Sequence, residues 1–206
     1  PVDPEWTYSA PPAVTAATGI DALSHAFEGY WSIRSQPICD VLAERAAELI
    51  MSALPIAFAR GDDRRARSEM ALGSLLAGLA FAQPKTAAVH ACSFPLTQRF
   101  GLPHGVACGL TLDAFLQYNA AAIPEKLERL ACRLGYADVA ELARAVRTLK
   151  RTVGLPLTPA QAGIGDDDLS TLIDESFHAN MRNNPREVTS GDLRRIYETM
   201  GEDDDV

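Results

Sequence analysis

The sequence predicts an all-α fold, a bundle of about eight or nine helices. Alanine is abundant whereas aromatic residues make up only 7% of the 206-residue chain, a balance that favours helices packed on helices over sheets. Apolar residues recur at spacings of three and four along most segments. No segment alternates apolar and polar residues for long enough to form a strand.

Prolines, turns and capping residues set the predicted helix boundaries. The Pro-rich segment 1–12 is expected to be extended, and the first helix begins after it. The Gly61-Asp62-Asp63 turn supplies an N-cap for the third helix, Pro124 opens a later helix and Asp138 caps the next. The predicted helices span 13–31, 38–59, 64–82, 86–98, 104–119, 124–134, 139–153, 167–178 and 190–200, and residues 201–206 form a frayed acidic tail.

Proline and glycine residues inside these helices lead to two further predictions. Pro55 predicts a kink or a stop near the end of the second helix. Gly73 and Gly78 in the third helix predict close approach of a neighbouring helix. Neither feature changes the predicted fold class.

Composition excludes several functional classes. The net charge of −8 and the scattered arginines argue against nucleic-acid binding. No apolar stretch approaches the roughly 20 residues that span a bilayer, and the N-terminus has no signal-peptide pattern, so we expect a cytoplasmic protein. Because residue 1 is not methionine, the chain is expected to come from a longer protein. The cysteines lack metal-binding or disulfide spacing and are expected to be free, buried thiols: Cys39, Cys92, Cys108 and Cys132.

Three of the four histidines fall in two motifs that suit a metal site. Asp21 and His25 are four residues apart on a predicted helix and therefore share a face. His90 lies in an apolar helix, and His104 begins the next one. One carboxylate and three imidazoles suit Fe(II) or Zn(II). Spacing leaves two alternatives open, because an exposed Asp–His pair and a buried core histidine are both common.

The same motifs resemble a known family. Residues 15–30, which carry Asp21 and His25, resemble the conserved helix of the iron-containing (group III) alcohol dehydrogenases. The segment from His90 to Gly105 resembles the paired-histidine segment of that family, with the usual separation of 14 positions. Asn119 and the Asn184-Pro185-Arg186 segment also match. The resemblance covers essentially the whole chain.

The resemblance implies a two-domain dehydrogenase of which this sequence is the metal-binding part. Its fold would be that of the dehydroquinate synthase-like helical C-terminal domain, over residues 13–200, with residues 1–12 arriving from a missing domain that binds NAD or NADP. Fe2+ or Zn2+ would act as a Lewis acid during hydride transfer to a small aldehyde. A homo-oligomer is also expected. The implied metal ligands are Asp21, His25, His90 and His104.

One position departs from the family pattern. Many members carry a histidine, thought to assist proton transfer, four residues after the first of the pair, and here that residue is Phe94. Ser93, Thr97 or water would then have to move the proton.

The surrounding sequence suggests an anionic substrate. Residues 93–97 and 100–103 resemble the branch associated with phosphonate metabolism, which reduces phosphonoacetaldehyde-like substrates. Lys85 and Arg99 are candidate contacts for the anionic group. The alternative is that both are ordinary solvated charges at helix ends.

Other polar and aromatic residues are expected to play supporting roles. Glu28 is expected to be a surface carboxylate or to lie behind a metal ligand. His178 is expected to be exposed or at the edge of a cleft. Tyr30-Trp31 are expected in the core or an interdomain contact, and Cys92 and Cys108 are assigned to packing.

Three other functions compete with an iron-dependent dehydrogenase. Dehydroquinate synthases use zinc, a glutamate and two histidines, and glycerol dehydrogenases use zinc, an aspartate and two histidines. The Asp21–His25 pair, completing a set of four, favours the iron branch. A third alternative is a catalytically silent helical fragment that binds metal or dimerises. We expect the chain to bind metal without turnover and to expose an apolar patch that promotes self-association.

Overall fold

The computed structural model describes residues 2–200, which form nine α-helices, three short 3-10 turns and no strand. The all-α prediction is confirmed. The acidic tail predicted for residues 201–206 lies outside the described residues. The helices are α1 (Pro12–Trp31), α2 (Pro37–Ala59), α3 (Arg64–Phe81), α4 (Ala88–Phe100), α5 (His104–Ala120), α6 (Pro124–Arg133), α7 (Val139–Thr152), α8 (Asp166–Glu175) and α9 (Ser190–Thr199).

Two local signals placed helix starts correctly. The Asp63 side chain accepts a hydrogen bond from the Ala66 backbone N–H at the start of α3. The Asp138 side chain accepts one from the backbone N–H of Glu141 at the start of α7. Each satisfies a backbone donor that a helix start otherwise leaves unpaired.

One prediction about the proline-rich N-terminal segment is wrong. Residues Pro4–Thr7 form a 3-10 turn instead of extended chain, because Asp3 caps it by accepting from the Glu5 backbone N–H at 3.0 Å. Of the two effects expected of Pro55, a kink or a stop, the stop does not occur, and α2 ends at Ala59 as its predicted span did. A proline removes only one backbone donor, and the packing of a long helix can compensate for that loss.

The glycines of α3 divide into one that is packed and one that is not. A Cβ on Gly73 would lie 2.8 Å from Cγ1 of Ile50, so the predicted close approach of α2 exists there. A Cβ on Gly78 would meet nothing within 4 Å. The expectation for Gly78 is therefore wrong, because this residue does not face a neighbouring helix.

Helix α1 is the centre of the bundle, packing against α2 and α3 and also against α5. Two glycines of α5 make the last contact unusually close. A Cβ on Gly105 would lie 1.9 Å from the backbone oxygen of Ala17, and one on Gly109 would lie 3.0 Å from Ile20. The start of α5 is therefore held directly against the middle of α1.

Helix α5 is held from its other side by buried polar contacts. Asp113 pairs with Lys150 and lies 3.5 Å from Arg147, both on α7. Near the end of α5, Asn119 and Asn184 exchange side-chain hydrogen bonds of 3.1 and 2.7 Å. These contacts satisfy polar groups that would otherwise be costly to bury.

The four cysteines are free, as expected. Cys39, Cys92 and Cys108 are buried, but Cys132 is exposed. The expectation of a buried thiol is wrong for Cys132 because it lies on the solvent side of the amphipathic α6. Within the described part of the chain, no helix has the length and apolar character that crossing a bilayer requires.

Candidate metal centre

Helix α1 places Asp21 and His25 on one face, toward α4 and α5. The two side chains are about three-quarters buried, and His25 Nδ1 lies 3.9 Å from Asp21 Oδ2. The His25 ring stacks on Phe81 of α3 with 4.2 Å between ring centroids. This contact limits the orientations that the imidazole can adopt.

Helices α4 and α5 bring two further imidazoles to the same carboxylate. The Nε2 atoms of His90 and His104 each lie 3.6 Å from Asp21 Oδ1. His25 Nε2 lies 3.0 Å from His90 Nε2. His90 is almost completely buried, whereas the His104 side chain is 42% exposed and gives the cluster a side open to solvent.

The arrangement fits a divalent cation. Asp21 Oδ1 is buried and has no hydrogen-bond partner among the described residues, an unfavourable state unless something else satisfies it. With metal–donor bonds of about 2.0–2.1 Å, tetrahedral nitrogen and oxygen ligands are about 3.3–3.4 Å apart. The observed 3.6 Å separations are slightly wider, so a small metal ion fits between these donors.

Cys108 also lies in this cluster. One donor atom from each of Asp21, His90, His104 and Cys108 lies within 4.8 Å of the other three. Sequence reasoning assigned Cys108 to packing. The signal that could have found it is the four-residue spacing from His104, which places both side chains on one face of α5.

Glu28 lies behind the cluster and orients His90. Its carboxylate is fully buried. Oε1 accepts backbone N–H bonds from Ala87 at 2.9 Å, Val89 at 2.8 Å and His90 at 3.3 Å. Oε2 contacts His90 Nδ1, which leaves Nε2 directed at Asp21 Oδ1, 3.6 Å away. Glu28 is thus a buried positioning carboxylate rather than a surface group.

The titration behaviour of the cluster follows from this burial. Burial lowers the pKa of His25 to about 4, so its imidazole is neutral near pH 7, as ligation requires. Burial would raise the pKa of Asp21, but the three neighbouring imidazoles hold it below its ordinary value. Burial also works against protonation of His90, but the Glu28 carboxylate and the hydrogen bonds to Asp21 and Cys108 together outweigh burial and raise the pKa of that imidazole.

Replacing Glu28 by glutamine is expected to weaken metal binding about 10- to 100-fold. The amide cannot both accept the backbone N–H bonds and accept from His90 Nδ1, because one of its two ends is a donor. The measurement is competition with a chromophoric chelator. Glu48→Gln, an exposed site on α2, is the matched control, and equal affinities for the two variants would contradict the positioning role.

The residues proposed for proton transfer occupy different environments. The Ser93 hydroxyl is fully buried and donates to the His90 carbonyl at 2.8 Å. Thr97 Oγ1 is buried and has no partner within residues 2–200. Phe94 lies between His104 and His178, with ring centroids 6.5 and 4.7 Å away. His178 is exposed and lines a cavity beside Phe94, as expected for the edge of a cleft.

The two candidate substrate cations lie outside the cluster of candidate metal ligands. Lys85 is exposed in the turn between α3 and α4 and has a left-handed backbone, with φ of 67°. Arg99 forms an exposed ion pair with Glu175 of α8. Tyr30 and Trp31 are buried in the core, which agrees with the packing role expected for them.

Sequence reasoning missed a short turn that packs against the segment leading into α4, near the site. Residues Ala179–Asn183 form a 3-10 turn. Asn180 donates to the Thr86 hydroxyl at 2.8 Å, and Asn183 donates to the Thr86 carbonyl at 2.9 Å. These contacts hold the turn against the segment that enters α4, and only the asparagine-rich composition hints at them.

Comparison with known proteins identifies the family. The family model described as Fe-containing alcohol dehydrogenase family, C-terminal, matches residues 15–201. The chain belongs to the iron-containing alcohol dehydrogenase family. It corresponds to the C-terminal helical part of that family's proteins, which confirms the resemblance seen in the motifs.

Individual members of the family support the assignment. Long-chain-alcohol dehydrogenase 1 of Geobacillus thermodenitrificans is 38% identical over 96% of this chain and 52% of its own length. Lactaldehyde reductase of Escherichia coli is 35% identical over 96% of this chain and 54% of its own length. The chain therefore spans about half the length of the curated relatives it matches.

A solved structure of the family has the same fold. The crystal structure of sulfoacetaldehyde reductase from Bifidobacterium kashiwanohense in complex with NAD+ is 44% identical, with a TM-score of 0.93. The match covers 98% of this chain and 54% of that one. The relatives named above are thus alcohol dehydrogenases or aldehyde reductases.

Proposed function

We propose that this chain is the metal-binding half of an NAD(P)-dependent alcohol dehydrogenase that reduces a small aldehyde. The buried Asp21 oxygen without a partner, facing the imidazoles of His90 and His104, carries this proposal. A divalent cation is the group that satisfies such an oxygen and binds imidazole nitrogens at the same time. Fe2+ is the metal in the family's name, and Zn2+ accepts the same donors.

Each proposed ligand is positioned for its task by its own surroundings. The metal, when bound, would supply a Lewis acid that polarises a carbonyl group. Asp21 contributes the negative charge, and Glu28 keeps His90 Nε2 directed inward. His25 is fixed against Phe81. Because His104 is partly exposed, the cluster is open to solvent on that side, and substrate would approach from there.

We also propose that a nucleotide-binding domain covers an apolar groove on this chain. The groove lies between residues 2–10, α1 and α3 and has a volume of about 540 Å3. Trp6 is 86% exposed at its edge, and Val14 and Leu75 are also exposed. Exposed apolar surface of this kind marks a contact with another domain or chain. A homo-oligomer remains part of the proposal.

The proposed substrate is a short aldehyde carrying an anionic group. The sulfoacetaldehyde reductase of B. kashiwanohense, which is named for an aldehyde that carries a sulfonate group, is 44% identical to this chain. This similarity supports a phosphonoacetaldehyde- or sulfoacetaldehyde-like substrate. Of the two candidate cations, Lys85 is the one proposed to contact the anion, because Arg99 already pairs with Glu175.

We expect the 206-residue chain to bind metal but to show no turnover with NADH or NADPH. Most of the nicotinamide site would lie on the absent domain, so the hydride donor could not be oriented. The measurement is nicotinamide absorbance with sulfoacetaldehyde, phosphonoacetaldehyde and propanal. The full-length protein is the positive control and should favour the anionic aldehydes. Ready turnover by the chain without its partner domain would refute the expectation, and an inactive full-length protein would refute the function.

A further inference from the structure

A second pocket, near the end of α5 and away from the metal cluster, is lined by three arginines. It has a volume of about 300 Å3 and lies between α5, α7 and α9. Arg147, Arg186 and Arg195 reach its wall from three different parts of the chain. His104 begins α5, whereas the pocket contacts that helix from Asp113 onward. At about 1.5 Å per helical residue, the pocket starts roughly 14 Å along the helix from His104.

The three guanidinium groups lie at different depths in the pocket. Arg147 is the most deeply buried, with 9% of its surface exposed, and donates to the backbone oxygen of Met200. Arg186 is half-buried, with its Cζ 4.0 Å from the centroid of the Tyr118 ring, and donates to the Tyr118 carbonyl at 3.1 Å. Arg195 is exposed at the edge and forms no ion pair within residues 2–200. Positive charge therefore extends from the interior of the pocket to its edge.

Two carboxylates also line the pocket, but both are engaged with partners of their own. Asp113 pairs with the buried Lys150 and lies 3.5 Å from Arg147. Asp192 accepts hydrogen bonds from the backbone N–H and the hydroxyl of Thr189, the residue that caps α9. The three arginines together with Lys150 outnumber the two carboxylates, so the pocket and its immediate surroundings carry a net positive charge.

We propose that this pocket binds a phosphate group, either as inorganic phosphate or as part of a small phosphomonoester. A guanidinium presents several N–H donors in one plane, a geometry that matches the oxygens of a phosphate. The pocket volume is at the lower end of the range for small-molecule sites, which suits a phosphate with few attached atoms. The site does not depend on the proposed dehydrogenase activity, because none of its lining residues belongs to the metal cluster.

Titration calorimetry of the metal-loaded chain with inorganic phosphate, at constant ionic strength in chloride, tests the proposal. One binding site per chain is expected. Arg195→Gln should weaken binding about 10-fold, because one charge-assisted contact is lost. Arg194→Gln is the matched control: Arg194 is the neighbouring exposed arginine, lies 3.8 Å from Glu198 and does not line the pocket. This variant should change the affinity by no more than about twofold.

The possible outcomes distinguish this site from the metal centre. No saturable binding by the wild-type chain, or equal weakening in the two arginine variants, would overturn the proposal. The titration is repeated after chelation, and the phosphate affinity should not change. Loss of binding at that step, in a chain that circular dichroism shows to be folded, would place the anion on the metal and overturn the proposal as well. Glycerol phosphate as a second titrant distinguishes the two sources of the group, since tighter binding than that of inorganic phosphate indicates a phosphomonoester and equal or weaker binding indicates the free ion.

Discussion

Substituting alanine for either His90 or His104 is expected to lower the metal content of the anaerobically purified chain from about one ion to near zero. Both imidazoles direct Nε2 at the same buried oxygen of Asp21. Removing either leaves a gap in the donor set that the rigid helices α4 and α5 cannot close. Elemental analysis of iron and zinc, after reconstitution with each metal, provides the measurement.

The chain offers a matched control for the loss of a histidine. His178 lies beyond Phe94 and outside the donor cluster, so His178→Ala is expected to retain its metal. Full metal content in the His90→Ala and His104→Ala variants would show that these residues are core histidines rather than ligands. A wild-type chain that takes up no metal would contradict the prediction in the same way.

Gly105→Ala is expected to destabilise the fold by about 3 kcal/mol or more. The added Cβ would lie 1.9 Å from the Ala17 backbone oxygen, and backbone atoms cannot move aside as a flexible side chain can. Helix α5 would have to shift away from α1, carrying His104 away from Asp21. The variant should therefore lose metal affinity as well as stability, which denaturant unfolding and chelator competition measure separately.

Gly78→Ala provides the control for the glycine substitution. A Cβ at this position of α3 meets nothing within 4 Å. Alanine is a better helix former than glycine by about 0.8–1.0 kcal/mol, so this variant should be as stable as the wild type or slightly more so. Equal stability of the Gly105→Ala and wild-type chains would show that α1 and α5 do not pack as described.

The fold was largely predictable because its signals are local. Asp63 and Asp138 mark helix starts through hydrogen bonds to residues three positions later. Pro124 marks another because its ring suits the first helical position. The errors arose where packing outweighs local preference. The environment of Gly78, for example, depends on which face of α3 is covered.

The candidate site was predictable only in part. The motifs single out Asp21, His25, His90 and His104, and the structure brings all four together. The tight set of four donors, however, contains Cys108 and not His25. A sequence shows that Cys108 shares a helix face with His104, but the direction of that face depends on how α5 packs against α1. For the same reason, the sequence does not reveal the contact between Glu28 and His90, which are 62 positions apart.

The backbone at Lys85 has a local cost in stability. A residue with a Cβ pays roughly 1–2 kcal/mol in the left-handed conformation, and glycine avoids this penalty. Lys85 adopts that conformation in the turn that leads to Ala87 and the backbone donors around Glu28. The turn is therefore less stable than it would be with glycine at this position. At this position the chain forgoes a stability gain and retains a cationic side chain at the entrance to α4.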